Sequence, residues 1–325
     1  MSDALLEAES RKRVGRLAPS PTGLLHLGHA RTFLIAWWRA RSSGARLLMR
    51  LEDLDGPRVR PEMSEAALRD LAWLGLDWDG PAHVQSSGLE EISAAATRLA
   101  HAGLAYACVC SRGEVRSAQS APQQGDSEPR YPGTCQNEFR SLAEAEAQTG
   151  KSAGLRLRVR EGQVKVSDLL LGTRSFDVQA EVGDFLIAKR DGAPAYQLAV
   201  VVDDARQGVT EVVRGEDLLP SAARQCLLQQ ALGLPGVTYC HVPLVVDETG
   251  RRLAKRHDDL SLAELRASGT DPRAIVAWAA RSSGIAAEPR ATPAEVLPAF
   301  ALSSLPREPI QLDALAVAAL RAARI

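Results

Sequence analysis

One stretch, Arg16-Leu-Ala-Pro-Ser-Pro-Thr-Gly-Leu-Leu-His26-Leu-Gly28-His29, limits the fold of this chain more than any other. Two prolines and a glycine within residues 19–23 forbid regular structure there. Residues 14–18 before the turn read as a short buried strand, and the apolar run 28–42 after it reads as a helix. The pattern then repeats. Residues 46–51 predict a second strand and 61–74 a second helix, with Pro61 as its first residue. Strands alternating with helices imply a parallel sheet and a nucleotide-type α/β domain. Such a sheet places its ligand at the strand-to-helix turn, here the sequence of prolines, glycines and histidines itself.

The alternation breaks after Tyr106. Cys108, Cys110 and Cys135 follow, with a polar Ser-, Gln-, Gly- and Pro-rich stretch at 111–130 that reads as a surface loop. Residues 155–159 and 178–187 predict strands, so 106–190 is expected to be an insertion. The α/β pattern resumes with strands at 197–202 and 209–213, a helix at 221–232 and a strand at 242–246. From Leu262 the chain is Ala/Leu-rich and expected to be helical, interrupted by Pro289, Pro293, Pro298, Pro306 and Pro309. The expected division is an α/β domain in two halves, 1–105 and 191–261, an insertion at 106–190 and a helical C-terminal region at 262–325.

Length and composition narrow the function. The 325 residues carry 39 Lys+Arg against 40 Asp+Glu, a net charge of −1. That excludes a general basic nucleic-acid binder but allows a nucleic-acid substrate held by a local patch. The 45% hydrophobic and 24% charged content is that of a globular chain rather than a disordered one. No apolar run approaches the roughly 18 residues of a membrane helix. The first 13 residues lack the apolar segment of a secretory signal. Five cysteines are too few for a disulfide framework and favour a reducing cytoplasm. Lysine occurs only at 12, 151, 165, 189 and 255, so arginine is the default cation and Lys255 in an arginine cluster stands out.

Two clusters carry chemistry. His26 and His29 are three apart at a helix start, so both imidazoles can reach one face and donate to phosphate oxygens. Gly28 between them would let a flat base approach the backbone. The same spacing also fits a capped helix start with two surface histidines. Arg251-Arg-Leu-Ala-Lys255-Arg-His257 follows a predicted strand and turn, and suits a triphosphate, with Lys255 as a compact charge for a leaving pyrophosphate. A solvated basic loop is the alternative. Cys108-x-Cys110 with Cys135 offers three thiolates to a metal such as zinc, or three buried free thiols. Cys226 and Cys240 are expected in the core.

Taken together, residues 19–29 resemble the HIGH motif of class I aminoacyl-tRNA synthetases, and Arg252-Leu-Ala-Lys255-Arg256 resembles their KMSKS loop, with Ala254 where that loop often has Ser. The stretches Arg50-Leu-Glu52-Asp-Leu-Asp55, Tyr196-Gln-Leu-Ala-Val-Val-Val-Asp-Asp204 and Val213-Arg214-Gly-Glu-Asp-Leu218 make the chain similar to glutamyl-tRNA synthetases. Only residues 262–325 follow the KMSKS-like loop, where those enzymes carry a large anticodon-binding region. The shortened form with a cysteine-bearing insertion resembles the glutamyl-queuosine branch of the family. That resemblance implies a Rossmann-type catalytic domain, ATP and Mg²⁺, and transfer of glutamate to the queuosine base of tRNA(Asp) by a monomeric cytoplasmic ligase.

The resemblance also implies site residues. His26, Gly28, His29 and Lys255 would face ATP, with His26, His29 and Lys255 catalytic. Arg16, Leu17, Ala18, Pro19, Ser20, Glu52, Tyr196 and Arg214 would hold L-glutamate. Cys108, Cys110, Tyr131 and Cys135 would hold a structural zinc. Arg16 and Glu52 as a surface ion pair, and Tyr196 in the core, are the alternatives at those positions. Scattered arginines such as Arg112, Arg116 and Arg130 could meet tRNA phosphate or water. A short glutamyl-tRNA synthetase acting on the 3′ end of tRNA(Glu), and a non-catalytic tRNA-binding paralogue, are the competing functional readings.

Overall fold

The structure, a computed structural model, describes residues 13–117, 129–253 and 260–325. Its centre is the expected parallel α/β sheet. Strand β1 (Val14–Leu17) runs through the proline turn into helix α1 (Leu27–Ser42), which returns to β2 (Arg46–Leu51), parallel to β1 with Val14 opposite Arg46. Helix α2 (Pro61–Trp73) leads to the short parallel strand β3 (His83–Val84). On the other side of β1 lies β9 (Glu211–Gly215), joined where Thr210 N donates to the Val14 carbonyl at 2.9 Å. Beyond it stands β10 (Thr238–Val242), parallel to β9. The order in which the chain lays down strands thus reverses between β1 and β9, which opens a crevice at their C-terminal ends.

Successive strand residues feed opposite faces, as the pleat requires. Leu17, Leu47, Met49, Val213, Cys240 and Val242 pack with α1 and the C-terminal helices. Val14, Val212 and Tyr239 pack on the other face. That face is covered by α3 (Leu89–His101), α7 (Tyr196–Arg206) and α8 (Leu219–Leu232). Residues 262–325 fold back onto α1. Helices α9 (Leu262–Ala267) and α10 (Pro272–Ser282) share its core, and Trp38 Nε1 donates to the Pro293 carbonyl at 3.0 Å.

Between α3 and α7 the chain builds an antiparallel sheet from β4 (Ala105–Cys108), β5 (Gly154–Leu157) and β8 (Phe185–Ala188). Helices α4 (Arg112–Ser117) and α5 (Leu142–Thr149) flank it. The hairpin β6 (Val164–Asp168) and β7 (Gly172–Phe176) returns to the main sheet, with Asp168 opposite Tyr239 of β10.

Four local expectations change. Residues 197–202 are not a strand but the middle of α7. Residues 197–204 are all buried, so the run lacks the polar stripe that would reveal helical period. Residues 178–187 divide: Asp177 caps the one-turn helix α6 (Val178–Glu181) by accepting from Ala180 N, and only β8 is extended. Residues 112–117 of the expected loop at 111–130 are helical around buried Val115, while 118–128 lie outside the described residues. The strand expected at 242–246 is β10 ending at Val242, then β11 (Val245–Val246), separated by Pro243, which has no N–H to continue a ladder.

Trp38 is fully buried and stands 6.3 Å from the Phe300 ring between centroids. Trp38→Ala is expected to cost about 3–5 kcal/mol, read as a lower urea midpoint at unchanged slope.

Candidate functional site

At the crevice, the turn after β1 is fixed by backbone bonds to its neighbours. Glu52 N donates to the Pro19 carbonyl and Arg60 N to that of Pro21. The histidines cap α1 reciprocally: His26 Nδ1 accepts from Gly28 N at 3.1 Å, and His29 Nδ1 accepts from His26 N at 3.2 Å. Both the capping and the ligand-facing readings of the sequence are therefore compatible. With each Nδ1 accepting, the proton of each neutral ring sits on Nε2, and both rings line the cleft as N–H donors. Their centroids are 3.8 Å apart. Gly28 leaves the His26 ring room, because a Cβ there would lie 3.0 Å from it and press on the cap.

Beneath the turn lies a set of buried guanidinium groups. Arg16, from β1, donates Nη1 to the Val213 carbonyl at 3.1 Å and lies 3.8 Å from Asp204 Oδ1. Its Nε is the atom facing Asp204 and makes no hydrogen bond among the described residues. Arg50, from β2, reaches Asp204 Oδ1 at 2.7 Å, Glu52 Oε1 at 3.1 Å and Gln207 Oε1 at 2.8 Å. Burial pushes the Glu52 carboxyl above the ordinary carboxylate range despite Arg50 and Arg16 beside it. Burial also lowers Arg16, against the pull of Asp204. Because Glu52 is raised on folding, its ionised form costs stability, and that cost falls away as pH drops through its native pKa.

Arg214, from β9, is held differently. Its Nε donates to His241 Nε2 at 3.0 Å, Nη1 to Gln225 Oε1 at 2.9 Å and Nη2 to the Leu218 carbonyl at 3.2 Å. Gln225 Nε2 continues to Gln197 Oε1, and Gln197 Nε2 to Ser221 Oγ, both at 3.0 Å. Behind His241 stands Asp168, 2.7 Å from its Nδ1. Burial would raise Asp168, but bonds from His241 and from the backbone of Leu171 and Leu170 hold it below the ordinary range. Its contribution to stability is therefore present above the ordinary carboxylate pKa and lost as pH falls through the lower native value.

These elements enclose a cleft of about 640 Å³ lined by Arg16, Ala18, Pro19, Ser20, His26, Gly28, His29, Glu52, Tyr196 and Arg214, among others. Arg16 and Glu52 are buried rather than a surface pair, and Tyr196 opens the first turn of α7 rather than sitting in the core. Leu17 is fully buried in the core below. Arg252 also lines the cleft and pairs with Asp217 at 2.5 Å, whereas Ala254, Lys255, Arg256 and His257 lie outside the described residues. Arg112 is among the residues lining the cleft, and Arg130 is tied to the Gln179 carbonyl at 2.9 Å. Sequence reasoning did not single out Asp168, His241, Gln225 or Asp204 for the site. The available signal was polarity inside apolar runs, as at His241 between Cys240 and Val242.

The insertion carries a second centre. The Sγ atoms of Cys108, Cys110 and Cys135 lie within 4.8 Å of one another and could hold a metal ion such as zinc. Tyr131 Oη joins them, 3.4 Å from Cys108 Sγ, and accepts from Cys135 N at 2.8 Å. Arg156 donates Nε to Cys108 Sγ at 3.2 Å and its guanidinium lies 3.7 Å above the Tyr131 ring, a charge well placed to offset thiolates. Burial pushes the Cys110 thiol up to about 12; burial would raise Cys135 too, but hydrogen bonds led by Tyr131 hold it below its ordinary value. Cys226 is partly buried and Cys240 fully buried, both away from this cluster.

The geometry agrees with what the chain is similar to. The catalytic domain of tRNA synthetases class I (E and Q) matches residues 13–291. The Glutamyl-Q tRNA(Asp) synthetase of Symbiobacterium thermophilum is 45% identical over 317 residues, covering 94% of this chain and 98% of the relative. The chain belongs to the glutamyl-Q tRNA(Asp) synthetase family. The family's member from Nocardia farcinica is 47% identical, covering 91% of each chain. A crystal structure of the glutamate-tRNA synthetase from Elizabethkingia anophelis, 24% identical, superposes with a TM-score of 0.79 over 94% of this chain and 69% of that one, and shows the shared fold. The chain is thus a class I synthetase-type ligase with an α/β catalytic fold and a candidate metal centre in its insertion.

Metal analysis tests that centre. After reconstitution with zinc, the protein is expected to hold close to one equivalent, and the Cys108→Ser, Cys135→Ser double variant close to none. Undiminished zinc in the variant would show that the thiols are free.

Proposed function

We propose that this chain activates L-glutamate with ATP and transfers the glutamyl group to the queuosine base in the anticodon of tRNA(Asp). The observation that carries the reading is the cleft floor, where buried Arg16, Arg214 and Glu52 stand beneath the paired imidazoles of His26 and His29. Membership of a family whose relatives bear that name supports it.

Glutamate brings two carboxylates and one ammonium. Arg16 and Arg214 receive the carboxylates, Glu52 accepts from the ammonium, and Ser20 and Tyr196 add hydrogen bonds. Ala18 and Pro19 shape the wall beside them. A neutral glutamine amide would leave a buried guanidinium without a countercharge, so the pocket favours glutamate. In the first step an oxygen of the α-carboxylate attacks the α-phosphorus of ATP. The bond to the bridging oxygen breaks and pyrophosphate leaves with its electron pair. The residues' work is positioning and stabilisation of developing charge: the Nε2–H groups of His26 and His29 donate to phosphate oxygens, and Lys255 offsets the leaving pyrophosphate. Gly28 keeps the approach to the backbone open, and Mg²⁺ accompanies ATP.

In the second step a hydroxyl of the queuosine cyclopentene ring attacks the carbonyl of the adenylate. An ester forms, the hydroxyl proton is lost and AMP departs. Cys108, Cys110, Cys135 and Tyr131 fit a structural zinc, which when bound cross-links the end of β4 to the loop before α5. Reduced thiols of this kind suit the cytoplasm. Among the described residues, no helix is long and apolar enough to cross a membrane.

Incubation with ATP and labelled glutamate is expected to label tRNA(Asp) that carries queuosine and to leave unmodified tRNA(Asp) and tRNA(Glu) unlabelled. Label at the periodate-sensitive 3′ end of tRNA(Glu) would overturn the choice of acceptor. The role of Glu52 has its own signature. Protonation removes the ammonium's acceptor, so KM for glutamate should rise as pH falls, with a midpoint above the ~4.3 of an ordinary glutamate. A KM flat across that range would contradict it.

A further inference from the structure

We propose that His241 and Asp168 are positioning residues that aim Arg214 at a substrate carboxylate without neutralising it. The inference rests on the reading of Arg214 as a glutamate ligand and adds the device that makes it one.

The three buried guanidinium groups are partnered in two ways. Arg50 has two carboxylates within 3.1 Å, and Arg16 faces Asp204 at 3.8 Å. Arg214 has no carboxylate partner among the described residues. It is gripped instead by three neutral acceptors: the imidazole of His241, the amide of Gln225 and the carbonyl of Leu218. A guanidinium has five N–H groups in a planar fork. Three are used here, one each on Nε, Nη1 and Nη2, so the two terminal nitrogens each keep one N–H. Two such donors match a bidentate carboxylate, and the residue, 4% exposed, borders the cleft.

His241 can play this part in only one protonation state. Its Nε2 must be bare to accept from Arg214, so its proton must sit on Nδ1. Asp168 enforces that arrangement. Its Oδ1 accepts from Leu170 N and Leu171 N at 2.9 and 2.8 Å, and its Oδ2 from His241 N at 2.9 Å. Three backbone donors thus keep it an ionised, acceptor-only group, and the facing Nδ1 at 2.7 Å must be the donor. A carboxylate in place of His241 would cancel the charge of Arg214, and an imidazolium would repel it. The neutral ring backed by Asp168 orients the fork and leaves its charge for the ligand. The hairpin β6–β7, which returns from the insertion to β10, is what brings Asp168 to this position.

The test is glutamate-dependent ATP–pyrophosphate exchange with the full chain, comparing KM for glutamate and for ATP. Arg214→Ala and His241→Leu are each expected to raise KM for glutamate about tenfold or more, with KM for ATP within about twofold. His241→Gln, whose Oε1 can stand in for Nε2 as a neutral acceptor, is expected to recover KM for glutamate to within about threefold of the parent. Asp168→Asn is expected to resemble His241→Leu, because an amide N–H facing Nδ1 moves the ring proton to Nε2, against Arg214. This variant carries the test if His241→Leu does not fold. An unchanged KM for glutamate in Arg214→Ala would overturn the reading of Arg214 itself. A raised KM in Arg214→Ala with unchanged values in His241→Leu or Asp168→Asn would overturn the positioning role alone, as would a His241→Gln variant no better than His241→Leu.

Discussion

Three guanidinium groups lie with almost no access to water in and beneath the floor of one crevice, and the rest of the structure answers that constraint. Arg16, Arg50 and Arg214 are 5%, 0% and 4% exposed. Desolvating a charge costs several kcal/mol unless partners surround it. Those partners come from separate elements: Glu52 beyond β2, Asp204 and Gln207 at the end of α7, Gln225 from α8, His241 from β10 and Asp168 from β6. A fold that did not bring β1, β2, β9 and β10 side by side would strand these charges. The sheet order and the site are therefore one requirement seen twice.

The same constraint orders the chemistry. Arg50 is committed to carboxylates and serves as a buried brace for Glu52 and Asp204. Arg16, whose Nε makes one longer ion pair and no hydrogen bond among the described residues, and Arg214, with neutral acceptors only, retain the capacity to meet an anionic ligand. Glu52 and Asp204 both lie against Arg50, and Asp168 is turned away onto His241. Glutamate, with two carboxylates and one ammonium, brings a net charge of −1. The histidine pair above the floor is built on a different principle. Its rings are held by the backbone N–H groups they cap, which fixes them at the cleft wall at little cost in side-chain freedom.

Much of this was legible in the residues, and the reasons are specific. Residues 16–29 combine strand, proline turn and helix start so sharply that the first β–α unit, the cleft and the pair His26/His29 could be read directly. Cys108-x-Cys110 and Cys135 announced a thiol cluster because cysteine is otherwise sparse. Residues 197–202 misled because an apolar run buried on every side has no polar stripe, and helix and strand then look alike. Asp168 and His241 were missed because they are 73 residues apart and meet only through the parallel contact of β6 with β10. No local pattern marks such a pair. A lone histidine within an apolar strand was the single trace it left.

A crystal structure with L-glutamate bound, both of its carboxylates free, tests the central claim most directly. The account predicts a glutamate carboxylate on the two terminal N–H groups of Arg214, with His241 Nε2 still accepting from its Nε. Both carboxylates lying clear of Arg214, or Arg214 turned away from His241 to meet them, would contradict it.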